Sequence, residues 1–247
     1  MIHPFASALL RWYAQNGRDL PWRHTTDPYP IWLSEVILQQ TRIEQGRDYW
    51  HRFMEQYPTV EHLADASEDE VLRLWQGLGY YSRARNLHTA AKQIKELGSF
   101  PTTLHGIKML KGVGDYTAAA IASLAFGVTA AAVDGNVYRV LSRLYAIDTP
   151  INTTEGKHLF TRLADELIHA APQTALSPQG DEACGASLFN QAMMDFGATQ
   201  CTPQSPSCLL CPFQEDCEAH RRGLTEQLPV KLKKTKMKRS LKMTRIK

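Results

Sequence analysis

Four cysteines late in the chain, Cys201, Cys208, Cys211 and Cys217, are separated by six, two and five residues. Thiols packed this closely, with Pro203, Pro206 and Pro212 stiffening the turns between them, cannot all reach their neighbours as ordinary disulfides and read as ligands converging on one metal centre. Four sulfurs restrict that centre to zinc or an iron–sulfur cluster. Zinc modules usually show two cysteine pairs split by a longer stretch. One pair flanked by single cysteines at unequal distances suits the corners of a [4Fe–4S] cube better, and the spacing alone leaves zinc open. Inert structural cysteines are the weaker reading, because free cysteines seldom cluster. The isolated Cys184 reads as a core filler.

Two carboxylates stand in contrasting surroundings. Glu35 lies one turn into a helix expected to begin at Pro30, among Ile31, Trp32, Leu33, Val36, Ile37 and Leu38. Desolvation by such neighbours favours the acid form, which makes Glu35 a candidate general acid near neutral pH. Taken alone it could equally be an exposed glutamate on an amphipathic helix. Asp134 precedes Gly135, Asn136 and a new helix from Val137, where helix N–H groups would hold it ionised and lower its pKa. An ordinary N-cap is the plain alternative. As a pair, one protonated and one anionic carboxyl suit glycosidic cleavage through an oxocarbenium-like state.

A third constellation is Leu110-Lys111-Gly112-Val113-Gly114-Asp115-Tyr116-Thr117, with two glycines one residue apart just before a helix. Such a turn can aim backbone N–H groups outward at the positive end of a helix dipole, a phosphate seat that needs no side-chain charge. A glycine pair between helices is also ordinary turn geometry.

The elements that would position these residues are helical almost throughout, with no alternating strand pattern. Helices are expected over Phe5–Gln15, Pro30–Gln40, Gln45–Gln56, Ser82–Leu97, Tyr116–Phe126, Val137–Tyr145, Thr154–Ala170 and Leu188–Phe196, with a further helix capped by Ser67. Residues 172–186, rich in Pro, Gly and polar types, read as an exposed connector. With 247 residues and 43% hydrophobic content, the chain can bury a substantial core in one large or two small domains. The fold class is all-α. Tyr116 to Val133 carries no charge over 18 residues. Its alanine richness and length, just short of the ~20 apolar residues a bilayer requires, point to a central buried helix and not a membrane span.

The net charge of +3 hides an asymmetry: Pro229–Lys247 holds seven Lys and two Arg without an acid, so the preceding part carries +3 − 9 = −6. A polyanion partner therefore needs local N–H donors and a few placed cations, because overall charge does not supply one. The basic segment reads as a solvated tail or linker. No secretory leader pattern opens the sequence, and thiolate ligation fits a reducing cytoplasm.

Seven stretches together resemble the MutY adenine glycosylases of the helix-hairpin-helix DNA glycosylase superfamily. They are Leu20-Pro21-Trp22-Arg23, residues 32–41 from Trp32 through Glu35 to Thr41, and residues 77–87 from Gly77 through Tyr80 to Leu87. The Gly112/Gly114 hairpin, residues 133–137 around Asp134, Phe189 to Asp195, and the four cysteines complete the set. The resemblance implies two helical halves around a DNA-facing cleft: a six-helix barrel over 25–130, a [4Fe–4S] domain from 1–24 and 131–225, and a basic tail or linker over 226–247. It implies Cys201, Cys208, Cys211 and Cys217 as cluster ligands, and Glu35, Asp134, Asn136 and Tyr116 as the catalytic set. Glu35 would protonate adenine at N7 and activate water, Asp134 would stabilise the cationic sugar, and Asn136 would support that geometry.

Gln40 and Tyr80 would fill the vacated stack and contact the opposite purine. Gly112, Val113, Gly114 and Arg23 would also bind DNA, and Tyr81, Arg83 and Arg85 would add a stacking surface with phosphate-neutralising neighbours. The implied substrate is double-stranded DNA with adenine mispaired with guanine or 8-oxoguanine, acted on by a monomer near the cytoplasmic nucleoid. Relatives that also cut the backbone carry lysine where Tyr116 stands, so a monofunctional enzyme is expected. Tyrosine there also occurs in thymine glycosylases for G·T mismatches, which remain an alternative, as does a non-catalytic DNA-binding module. Two departures from the family pattern stand out. The loop between Cys201 and Cys208 lacks the Lys or Arg that touches DNA in relatives. Most members also continue into a Nudix-like domain that this sequence does not reach, which is expected to weaken the preference for 8-oxoguanine.

Overall fold

A computed structural model describes residues 3–233. The chain runs through α1 (His3–Asn16), a 3-10 turn (Pro21–Arg23), α2 (Pro28–Ile37), α3 (Ile43–Gln56), α4 (Val60–Asp65), α5 (Glu68–Leu74), α6 (Ser82–Leu97), α7 (Leu104–Lys108) and α8 (Asp115–Phe126). It continues with α9 (Gly135–Leu144), α10 (Thr154–His169), strands β1 (Thr174–Leu176) and β2 (Glu182–Cys184), α11 (Gly185–Asp195), a π-helical turn (Phe196–Gln200), a 3-10 turn (Cys208–Leu210) and α12 (Glu218–Arg221).

Local chemistry sets the boundaries that matter for the site. Asp27 caps α2 by accepting from Tyr29 N at 2.9 Å, and Pro28 and Pro30 occupy its first turn, where an N–H is dispensable. Ser67 and Glu70 form a reciprocal capping box at the start of α5. Gly127, with φ of 65°, ends α8 in the left-handed conformation that glycine adopts without penalty.

Two apolar cores divide the molecule. One gathers residues from Leu20 to Ala122, with Trp32, Phe53 and Trp75 fully enclosed. The other joins α1 (Phe5, Leu9, Tyr13) to Val137, Leu141, Phe160, Phe189 and Phe213 from the later part of the chain. A small alanine cluster, Ala119, Ala120, Ala130 and Ala132, lies between them. Helix α8 packs against both α2 and α11, which is why it is apolar on every side. It spans 12 residues, and no helix among the described residues is long and apolar enough to cross a membrane.

Three expectations are corrected. The 172–186 connector contains an antiparallel hairpin with Thr174 opposite Cys184 and Leu176 opposite Glu182. Strands of three residues are too short to display an alternating pattern. Helix α2 stops at Ile37, so Gln40 lies in the following turn with φ of +58° instead of in the helix. Finally, the tail begins later than expected. Leu228 is buried, Val230 O accepts from Ile151 N at 3.0 Å, and Asn152 pairs with both backbone groups of Leu232 at 2.9 Å. Buried Leu228 and the backbone bonds at 230 and 232 dock this strip although its charge suggested solvation; the basic segment from 234 onward lies outside the described residues.

Candidate active site

Glu35 projects from α2 and Asp134 from the start of α9, so the two acids belong to different cores. Both line one cleft of about 740 Å³, together with Tyr116, Asn136, Arg23, Met194 and the hairpin residues Pro178 and Asp181. A cavity of that volume is in the range that accommodates a small ligand or an extruded nucleoside. The hairpin thus walls the mouth of the cleft, a role that its composition did not reveal.

Glu35 sits deep in this cleft with a limited part of its surface open to it. Burial raises its pKa from 4.5 to about 7; a hydrogen bond with Tyr116 opposes the shift, and the charge of Asp134 adds to it. The Tyr116 hydroxyl also lies 3.1 Å from Met194 Sδ, and its own pKa stands well above 10, so it stays neutral.

Asp134 is held by three donors. Its Oδ1 accepts from Asn136 N at 2.8 Å and Val137 N at 2.9 Å, and its Oδ2 from Asn136 Nδ2 at 2.7 Å. The N-cap role is therefore real, yet the expected lowering of its pKa is corrected. Desolvation outweighs the donors, and the pKa lies above 3.8. The difference between the acids survives, because Glu35 has no comparable cage of N–H donors to favour its charged form.

The Asp134 cage is anchored from behind. Asn136 Oδ1 accepts from Arg139 Nη2 at 2.7 Å, which fixes the orientation of the amide. Arg139 also donates to Gly197 O at 2.7 Å and to Cys201 O at 2.8 Å. Asn190 braces the approach to Asp134, donating to Ser123 Oγ at 2.7 Å and Ala130 O at 2.9 Å and accepting from Ala132 N at 3.0 Å.

Arg23, expected on DNA, is turned inward. Its Nη1 and Nη2 each lie 2.8 Å from a carboxylate oxygen of Asp195, a fully buried acid that Arg18 also engages. That bidentate pair spends the guanidinium on joining the segment before α2 to α11. Asp195, which closes the Phe189–Asp195 stretch, was given no role in the sequence reading. The one charge in the otherwise uncharged stretch Gly185–Asp195 was its available signal.

In the hairpin, Gly112 has φ of +79°, and a Cβ there would meet the Asn86 side chain at 2.7 Å. Gly114 opens α8 without a side-chain cap, and a Cβ there would meet nothing within 4 Å. Val113 is buried and donates its N–H to Leu110 O at 3.1 Å, so it serves as the plug of the turn. Gln40 and Tyr80 are both exposed, Tyr80 to 65%. Arg85 is exposed and pairs with Glu68 on the surface at 3.2 Å, whereas Arg83 is buried, so the Arg83 guanidinium does not stand free to neutralise phosphate as expected.

The four cysteines are free thiols that line a single small cavity with Phe5, Val140, Leu144, Phe196 and Phe213. Among the described residues no three His, Cys, Asp or Glu side chains form a group able to hold a metal ion. Burial pushes Cys211 up to about 11 and raises Cys208 and Cys217. Four soft sulfur donors in an apolar wall, with Arg143 Nη1 3.5 Å from Cys201 Sγ, fit a thiolate-bound cluster in their chemistry. Cys184 is half-buried, with its Sγ 3.8 Å from Gly127 O.

Comparison with known proteins places this geometry among relatives. Residues 33–166 match the model of the HhH-GPD superfamily of base excision DNA repair proteins. The mouse adenine DNA glycosylase is 44% identical over 92% of this chain, which spans 44% of that protein. The adenine DNA glycosylase of Buchnera aphidicola subsp. Acyrthosiphon pisum is 36% identical over 94% of the chain, which spans 63% of it. A solved structure of a thermostable thymine-DNA glycosylase superposes with a TM-score of 0.77 at 30% identity, covering 90% of this chain and 97% of that one. The chain therefore spans about half the length of the curated relatives it matches.

Proposed function

The chain belongs to the HhH-GPD superfamily of base excision DNA repair proteins, and from that premise we propose that it hydrolyses the N-glycosidic bond of adenine mispaired with guanine or 8-oxoguanine in double-stranded DNA. The observation that carries the proposal is a buried Glu35, its pKa raised to about 7, sharing one cleft with a caged Asp134. The target adenine leaves the stack at a cost of a few kcal/mol that a mispair reduces. Glu35 then donates its proton to N7, and the developing sugar cation is balanced by Asp134, whose carboxylate Asn136 holds in place. The N-glycosidic bond breaks with its electron pair on the departing adenine, which keeps that proton; water then adds to the anomeric carbon and the Glu35 carboxylate accepts the proton the water releases. Tyr116 lines the cleft beside Glu35 and offers no amine for a Schiff base, so backbone cleavage is not part of the reaction.

DNA is approached through the N–H groups around Gly112 and Gly114 at the start of α8, with Gln40 and Tyr80 entering the stack beside the opposite purine. Cys201, Cys208, Cys211 and Cys217 would hold a [4Fe–4S] cluster. Its bonds to these thiolates would fasten the 201–217 loop beneath Arg139 and Arg143. In this reading the protein acts as a monomer on chromosomal DNA in a reducing cytoplasm.

A second reading, thymine release from G·T mismatches, draws on the 30% identity to a thymine-DNA glycosylase. Single-turnover base release from duplexes carrying A opposite G, A opposite 8-oxoguanine, or T opposite G separates the two by which base is freed. Free adenine from the first two duplexes is the expected result; release of thymine alone favours the second reading. Intact DNA with tight mismatch binding leaves only a DNA-binding module.

A further inference from the structure

The two side chains proposed to read the opposite base are held by one buried arginine. Gln40 and Tyr80 are non-glycine residues with left-handed backbone, at φ of +58° and +45°. Such a conformation persists only where surrounding contacts over-determine it. Arg83, 9% exposed, supplies those contacts on both sides. Its Nη1, with two N–H groups to share, faces Val36 O at 3.1 Å, Ile37 O at 3.0 Å and Gln39 O, carbonyls at and just beyond the end of α2. Its Nη2 donates to Leu78 O at 3.2 Å, and both nitrogens lie within 3.5 Å of Thr41 Oγ1. The Arg83 Cζ lies over the Trp75 ring, 5.1 Å from its centroid, and over the Tyr80 ring, 5.7 Å from its centroid.

The Tyr80 turn is otherwise tied down carbonyl by carbonyl. Tyr49 Oη donates to Gln76 O at 2.5 Å, Gln45 Nε2 to Gly77 O at 3.4 Å and Trp75 Nε1 to Gly79 O at 3.0 Å, so Arg83 holds the one between. No other residue described touches both the end of α2 and this turn through such a set. Only a planar fork with several N–H groups can serve two backbones and stack on two rings at once; a lysine ammonium reaches fewer acceptors and stacks poorly.

We infer that Arg83 is a positioning residue that locks Gln40 and Tyr80 into one rigid reader of the base opposite the extruded nucleotide, an inference that rests on the function proposed above. Its guanidinium acts on protein carbonyls and does not touch DNA.

The test uses the described chain carrying Glu35→Gln, so that binding is measured without base release. Dissociation constants are taken for A opposite 8-oxoguanine and for A opposite T. Arg83→Lys, checked by thermal melting for an intact fold, is expected to cut the ratio of the two constants on the order of tenfold. Adding Arg83→Lys to Tyr80→Ala or to Gln40→Ala should cost much less than that, because the residue it positions is already gone. Full multiplication of the two losses, or an unchanged ratio in a protein that otherwise discriminates, overturns the inference. If the parent protein does not discriminate, the functional reading fails. The lock is then judged by amide exchange, where Arg83→Lys must loosen residues 38–42 and 77–81 together, and loosening of one or neither refutes it.

Discussion

Glu35→Gln should make the protein more stable at alkaline pH while removing its chemistry. A carboxyl raised from 4.5 to about 7 on folding means that the folded state holds this proton more tightly than the unfolded chain. Stability from that proton is fully present below pH 4.5 and is lost progressively as pH rises to about 7, after which the loss is constant. The full shift corresponds to about 3 kcal/mol. Because Glu35 keeps an edge open to the cleft, we discount this to about 2 kcal/mol. Glutamine keeps the shape and much of the hydrogen bonding, but cannot ionise. Wild type and variant should therefore be similar in stability near pH 5, and the variant should gain about 2 kcal/mol by pH 8, or roughly 4–8 °C in Tm for a chain of this size. Asp134 is also raised and also weakens the fold as pH climbs, yet it is common to both proteins and cancels in the difference. Urea or thermal unfolding at the two pH values measures the effect. Parallel pH dependence of the two proteins would refute the claim that Glu35 is held as a buried acid.

The same geometry makes three further predictions. Single-turnover adenine release should fall tenfold per pH unit above about 7 as Glu35 loses its proton, and should fall again at low pH as Asp134 gains one; Asp134→Asn should move the alkaline limb downward, because the Asp134 charge helps to raise Glu35, and an unmoved limb in the residual activity contradicts the coupling. Gly197→Ala would place a Cβ 2.5 Å from Asn136 Cβ and 3.1 Å from its Cα. Displacement of Asn136 should cost on the order of 1–3 kcal/mol of stability and at least tenfold in base release, and wild-type kinetics in this variant would show that the Asn136 brace is dispensable. Cys211→Ser should abolish a brown, broadly absorbing chromophore and the matching iron and sulfide in the purified protein, whereas a colourless wild type that yields zinc would replace the cluster by zinc.

How much of this was legible in sequence depends on the range of the interaction involved. Glu35 could be read because its desolvating neighbours Ile31, Trp32, Leu33 and Val36 are its own helix partners. The Ser67 cap and the Asp134 cap could be read because a cap bonds two or three residues ahead. The balance at Asp134 could not, since the local donors were visible but the packing that outweighs them comes from another half of the chain. Arg23 and Arg83 misled for the same reason: an arginine beside a turn reads as a cation for solvent or phosphate until its acceptors, Asp195 and the α2 carbonyls, are brought to it from 172 and about 45 residues away. The hairpin at 174–184 was missed because each strand, at three residues, is shorter than the run of alternation that announces a strand.

Two acids from different cores can act on one bond only if a common element fixes their separation, and α11 is that element. On one side Asn190 grips Ser123 and the backbone at Ala130 and Ala132, which sets the path into Asp134, and Gly197 lies against Asn136. On the other, Asp195 holds Arg23 and Arg18, which fix the segment leading into the helix that carries Glu35. Arg23 does more than hold position, since its charge opposes the rise in the Glu35 pKa. By satisfying that charge, buried Asp195 stops Arg23 from acting as a free partner for Glu35, which would favour the ionised form and remove the donor. The residue that ties the halves together therefore also engages the cation whose charge favours ionised Glu35. For this reason a carboxylate is needed at that point of an apolar helix, where packing alone would call for a methionine or a leucine.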